Sequence, residues 1–244
     1  MDSFEHGATD SGPEPDADFS GCAHPLGPCP SVLEAVLGAD RTRYPDPSYA
    51  ELRERLGVFH GVGAERIVPG AGASELILRV VRSVSGAVLS WSPSFVEYHR
   101  AAHVCGRLFL SASDRESWLS LVPEGGAAFL CQPNNPDGTV HGADFLESAR
   151  SACAKRGCRL VLDLAYADFC LPPAFPGGAE LLFAPNKTFG LVGVRSAYLV
   201  ASDTAWGARL REAAPLRQCF SPGQARLAGG HRLTANSTTI GHLS

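Results

Sequence analysis

Lysine is nearly missing from this sequence. Of 21 basic residues only Lys155 and Lys187 are lysines, so chemistry that needs a side-chain amine has two candidates. No apolar run approaches the ~18 residues of a membrane-spanning helix, and Met1-Asp2-Ser3-Phe4-Glu5-His6 has neither the basic start nor the apolar core of a secretory signal. No CxxC pair occurs among the eight cysteines (22, 29, 105, 131, 153, 158, 170 and 219). Reduced thiols in a cytoplasmic setting are therefore expected, rather than a disulfide framework or a structural zinc site. Nor is there an excess of positive charge. A net charge of -4 offers no electrostatic footprint for nucleic acid or an anionic membrane. There is no internal repeat and no GxSxG. The Gly70-Ala71-Gly72 pair lacks both the lysine of a Walker A loop and the third glycine of a dinucleotide fingerprint.

What is present is an ordinary globular composition, 45% hydrophobic over 244 residues. Residues 1–30 are rich in Gly, Pro, Asp and Ser and read as an irregular arm. A short helix is expected at 31–37, ended by Gly38. A longer one is expected at 47–60, with Ser48 as its cap and Leu52, Leu56 and Phe59 on one face. Extended or strand-like pieces at 66–69, 87–90, 107–110, 127–131, 159–163, 181–184 and 196–201 then alternate with helical patterns at 73–83, 94–104 and 142–155. That alternation predicts an α/β architecture with a mostly parallel sheet covered on both faces.

Ligands of such sheets bind at the carboxyl ends of the strands, and the polar clusters fall there. Gly70-Ala71-Gly72-Ala73-Ser74-Glu75 joins a strand to a helix start, where free N–H groups favour an anion; a plain glycine turn capped by Ser74 would look the same. Asn134-Asn135-Pro136-Asp137-Gly138 is a turn that also places amides at a strand end. Asp163 closes the apolar run Leu160-Val161-Leu162 and needs a partner, with Tyr166 in reach. Lys187 follows an apolar strand, where partial desolvation suits an amine for Schiff-base chemistry. Lys155, beside Gly157 at a helix end, is explained by the helix dipole. His99 and His103, one helical turn apart, lack a third metal ligand, and no metal site is expected.

In order along residues 18 to about 201, these segments resemble the fold-type I pyridoxal-phosphate (PLP) enzymes. Within them the chain is similar to the class I/II aminotransferases of the histidinol-phosphate aminotransferase and threonine-phosphate decarboxylase group. The matching runs are Asp18-Phe19-Ser20 with Pro25-Leu26-Gly27, Arg43-Tyr44-Pro45-Asp46-Pro47, Gly70 to Glu75, Pro133 to Gly138, Asp163-Leu164-Ala165-Tyr166, and Asn186-Lys187-Thr188-Phe189-Gly190-Leu191-Val192-Gly193-Val194-Arg195.

The resemblance implies a three-layer large domain at 41–215, preceded by an arm and small-domain segment at 1–40. It implies that Lys187 carries PLP covalently and shuttles a proton, and that Asp163 pairs with the pyridine nitrogen. Asn135 and Tyr166 would bond the phenolic oxygen, and Tyr98 would stack on the ring. Ala73, Ser74 and Arg195 would bind the phosphate, and Tyr44 would reach the phosphate of the neighbouring subunit of a homodimer. The implied reaction moves an amino group between an amino acid, which can itself be phosphorylated, and a 2-oxo acid. Decarboxylation of the threonine-phosphate type and cofactor binding without turnover are the alternatives.

Departures are visible. Pro185 and Ala184 occupy the positions two and three before the lysine, where the family usually has serine. Cys22 and His24 stand where the arm often carries asparagine. The family-like sequence fades near Pro215, and none of Arg217, Arg226 or Arg232 matches the arginine that grips the substrate carboxylate. An incomplete small domain and an atypical, poorly ordered tail at 216–244 are therefore expected.

Overall fold

A computed structural model describes Asp16 and residues 21–22, 24–40, 42–170 and 175–215. The expected tail, the three arginines beyond Pro215 and the Asp18-Phe19-Ser20 run lie outside the described residues.

Seven strands form one sheet: β1 (Ile67–Gly70), β2 (Val88–Trp91), β3 (Phe109–Ala112), β4 (Ala127–Cys131), β5 (Arg159–Asp163), β6 (Glu180–Phe183) and β7 (Ala197–Val200). Their order is β1-β7-β6-β5-β4-β2-β3. All neighbouring pairs are parallel except those made by β7, which runs antiparallel to β1 and β6. The sheet is the mostly parallel one that the alternating pattern predicts.

Helices cover both faces. On one, α3 (Ala73–Arg82), α4 (Glu97–Val104) and α7 (Thr204–Glu212) pack over Val68, Phe129, Val161, Leu182 and Leu199. On the other, α5 (Arg115–Ser120) and α6 (Ala143–Lys155) bury Leu89, Leu130, Leu160 and Leu162 around Trp118 and Phe145. Beside them α2 (Ala50–His60) covers Ile67, Tyr198 and Val200, while α1 (Pro30–Leu37) ends at Gly38 as expected. Burial on both faces is why β4 and the Leu160-Val161-Leu162 centre of β5 are apolar instead of alternating.

Two local details differ from the sequence expectation. Ser48 does not cap α2. The Asp46 carboxylate accepts from the Ala50 N–H (2.9 Å) and from the Ser48 N–H (2.9 Å), and the Ser48 hydroxyl is spent on the same group. Helix α5 had too few apolar residues to show a period; it starts at Asp114, whose side chain accepts from the Ser117 N–H at 2.8 Å.

The sheet's polarity places the site. The carboxyl ends of β1, β2, β4, β5 and β6 share one edge, and the reversal of β7 brings Arg195, which precedes it, to that edge too.

Candidate functional site

Strand β5 delivers Asp163 to the sheet edge with only 2% of its surface exposed. One carboxylate oxygen accepts from the Ala165 N–H at 3.1 Å and the other from the Tyr98 hydroxyl at 2.8 Å. Burial pushes its pKa up to about 6, against the pull of those two hydrogen bonds and of the Lys187 charge. The thiol of Cys131, paired across the ladder with Asp163, is likewise pushed up by burial and stays neutral.

The structure gives Tyr98 a different place from the expected one on a cofactor ring. Its side chain is fully buried and stacks on Phe129, with ring centres 4.7 Å apart. A buried phenol needs a polar partner, and Asp163 supplies it, so Tyr98 supports the carboxylate from behind.

Lys187 stands on the loop after β6. This loop is a chain of turns: Lys187 N–H to Ala184 O (3.2 Å), Phe189 N–H to Pro185 O (3.0 Å), Gly190 N–H to Lys187 O (3.2 Å) and Leu191 N–H to Asn186 O (3.1 Å). The Lys187 amine lies 5.9 Å from the ring centre of Tyr166, on the neighbouring loop after β5. Burial also raises the Tyr166 pKa, and the Cys22 thiol of the arm adds to that rise. Directly before the lysine, Asn186 is 4% exposed, and its buried Oδ1 has no protein partner.

The arm seats on this loop. Cys29 donates its N–H to Phe189 O at 3.0 Å. Gly190, at φ 63°, has no room for a side chain, because a Cβ there would lie 2.2 Å from Gly27 O.

At the third strand end, Gly72 (φ 115°) is the N-cap of α3, with no side chain capping the helix, so Ser74 does not play the capping part. The Arg195 guanidinium packs so close to Gly72 that a Cβ would meet its Nη2 at 3.0 Å. A cation thus lies against the turn that begins the helix at Ala73 and Ser74, where the helix dipole also favours an anion.

The two asparagines divide their work. Asn134, 3% exposed, pins its loop by donating to Pro93 O (2.8 Å) and Asp137 Oδ1 (2.7 Å) and accepting from Ser94 (2.8 Å). Asn135, half-buried, is the amide left at the mouth. Tyr44 is 83% exposed. His99 stacks on Phe109 at 4.5 Å. Among the described residues no group of three or more His, Cys, Asp or Glu is arranged to hold a metal.

The aminotransferase class I and II family model matches residues 19–230, and the chain belongs to that family. A histidinol-phosphate aminotransferase of Macrococcus caseolyticus is 32% identical over 203 residues, covering 73% of this chain and 57% of its own length. The threonine-phosphate decarboxylase of Salmonella typhimurium is 34% identical over 226 residues, covering 84% and 62%. Among solved structures, a histidinol-phosphate aminotransferase from Sinorhizobium meliloti in complex with pyridoxal-5'-phosphate superposes with a TM-score of 0.79. At 22% identity, over 89% of this chain and 64% of that one, this similarity establishes the fold. The chain spans about three fifths of the length of these curated relatives.

Proposed function

We propose that the protein is a PLP-dependent aminotransferase that moves an amino group between an amino acid, which can itself be phosphorylated, and a 2-oxo acid. The observation that carries this reading is the placement of Asp163 and Lys187. A buried carboxylate and one of only two lysines stand at the ends of neighbouring parallel strands, with Tyr166 beside them.

The residues fit the cofactor. A buried carboxylate with a raised pKa suits a cationic ring nitrogen, which would repay its desolvation. The uncapped start of α3 with Arg195 against it suits a phosphate, and the unpartnered Asn186 Oδ1 marks polar space still to be filled. When bound, PLP supplies an electron sink for charge developing at the substrate α-carbon.

The chain does the rest. Asp163 holds the proton on the ring nitrogen, with Tyr98 keeping the carboxylate oriented. Lys187 would hold the cofactor through Nζ and would move the proton at the substrate α-carbon. Asn135 and Tyr166 orient the phenolic oxygen; Ala73, Ser74 and Arg195 bind the phosphate. Residues 41–215 make up this cofactor-binding unit, with 1–40 as its arm. In a homodimer the exposed Tyr44 would reach the partner's phosphate site. The scattered cysteines, seven of them free in the described residues, fit a reducing cytoplasmic compartment.

The relative at 34% identity favours decarboxylation of an amino-acid phosphate as a second reading, since one cofactor site serves both reactions. The test is an absorbance spectrum with and without PLP, then borohydride reduction and mapping of the modified lysine. A visible band and a label on Lys187, absent in Lys187→Ala, are expected. A protein that stays colourless, or labels only at Lys155, refutes the proposal. Carbon dioxide against 2-oxo acid from amino-acid phosphates separates the two reactions.

A further inference from the structure

The loops that carry Tyr166 and Lys187 lie side by side at the ends of β5 and β6. Behind them is a small cavity of about 40 Å³, with Leu164 and Ala165 on one side, Pro185 and Phe189 on the other, and Phe183 and Tyr198 among its walls. At its edge a side-chain hydrogen bond joins the two loops: the Thr188 hydroxyl donates to Asp168 Oδ2 at 2.8 Å. Its position is telling. Thr188 follows Lys187 directly, and Asp168 lies two residues beyond Tyr166, in the short 3-10 turn Ala167–Phe169.

We propose that Thr188 and Asp168 are positioning residues, a clamp between the two loops that holds the Lys187 amine in register with Tyr166 and Asp163. Neither touches the reacting atoms. Each acts through its neighbour: Thr188 limits rotation of the turn that aims Lys187, and Asp168 limits the drift of the loop that aims Tyr166. Because the tie is a single hydrogen bond at the exposed edge of the loops, losing it changes their spacing rather than the fold. This proposal rests on the reading of Lys187 as the cofactor lysine.

Thr188→Val keeps the shape and removes the donor; Thr188→Ser keeps the donor and removes the methyl. The loss of one hydrogen bond of this kind corresponds to a change of about fivefold. For Thr188→Val we expect PLP dissociation to rise by about that factor, and the pH midpoint of the PLP-loaded protein's visible band to shift. Amide exchange at residues 186–190 of the unloaded protein should accelerate by a similar factor, while the strands and the denaturation midpoint stay near wild type. Thr188→Ser should restore all three. Wild-type affinity, midpoint and exchange in Thr188→Val overturn the clamp, and so does a failure of Thr188→Ser to restore them. If the wild type takes up no PLP, the cofactor reading fails, and the exchange comparison alone then upholds or overturns the clamp.

Discussion

Asp163 is a residue that the unloaded protein folds in spite of, and that cost can be measured. Its pKa rises from 3.8 to about 6 on burial. At about 1.36 kcal/mol per unit, carrying the ionised group costs the folded state roughly 3 kcal/mol. The folded-state value is the higher one, so there is no cost below pH 4, where both states are protonated. The cost grows as the pH rises through about 6 and is complete above it. Asp163→Asn removes the charge and keeps the shape. The amide oxygen can still accept from the Ala165 N–H, and the amide nitrogen can donate to Tyr98, whose hydroxyl reverses from donor to acceptor. Urea denaturation of the unloaded proteins should therefore find Asp163→Asn about equal to wild type at pH 4 and more stable by up to ~3 kcal/mol at pH 8. Loading with PLP should reverse that order, because only the carboxylate can pair with a cationic ring nitrogen. A variant that is less stable than wild type at pH 8, or whose advantage does not change with pH, would refute the reasoning.

Two further substitutions probe neighbouring parts of the site. Tyr98→Phe removes a donor that lowers the Asp163 pKa, so that value should climb higher. Its cost to the unloaded protein should be ~2 kcal/mol at pH 8, where the carboxylate is ionised, and nearer ~1 kcal/mol at pH 5, checked by denaturation at the two values. Gly72→Ala should strain a backbone held at φ 115° by ~1–3 kcal/mol and push Arg195 off the helix start. PLP titration should then show weaker binding with no loss of the Lys187 label after reduction, and unchanged affinity would remove Arg195 from the anion site.

How much of this was legible depends on how each feature is encoded. The sheet was legible because β4 and the centre of β5, Leu160-Val161-Leu162, are buried on both faces and so form unbroken apolar runs. The start of α2 was misread because an Asp four residues upstream, rather than the adjacent Ser48, accepts from Ala50. Helix α5 was missed because six residues cannot display a period. Among site residues, Lys187 stood out through scarcity and Asp163 through its place at the end of an apolar run, both properties of short sequence windows. Tyr98 shows where such reading stops. Its neighbours place it near the strand ends, but which face its ring meets depends on Phe129 and Asp163, which lie 31 and 65 residues further on. The tie from Thr188 to Asp168 is of the same kind, for neither residue carries a motif in isolation. What sequence leaves open here is orientation rather than identity. A side chain of the right type at a strand end suffices to name a candidate, but only long-range contacts decide whether it faces the ligand or supports the residue that does.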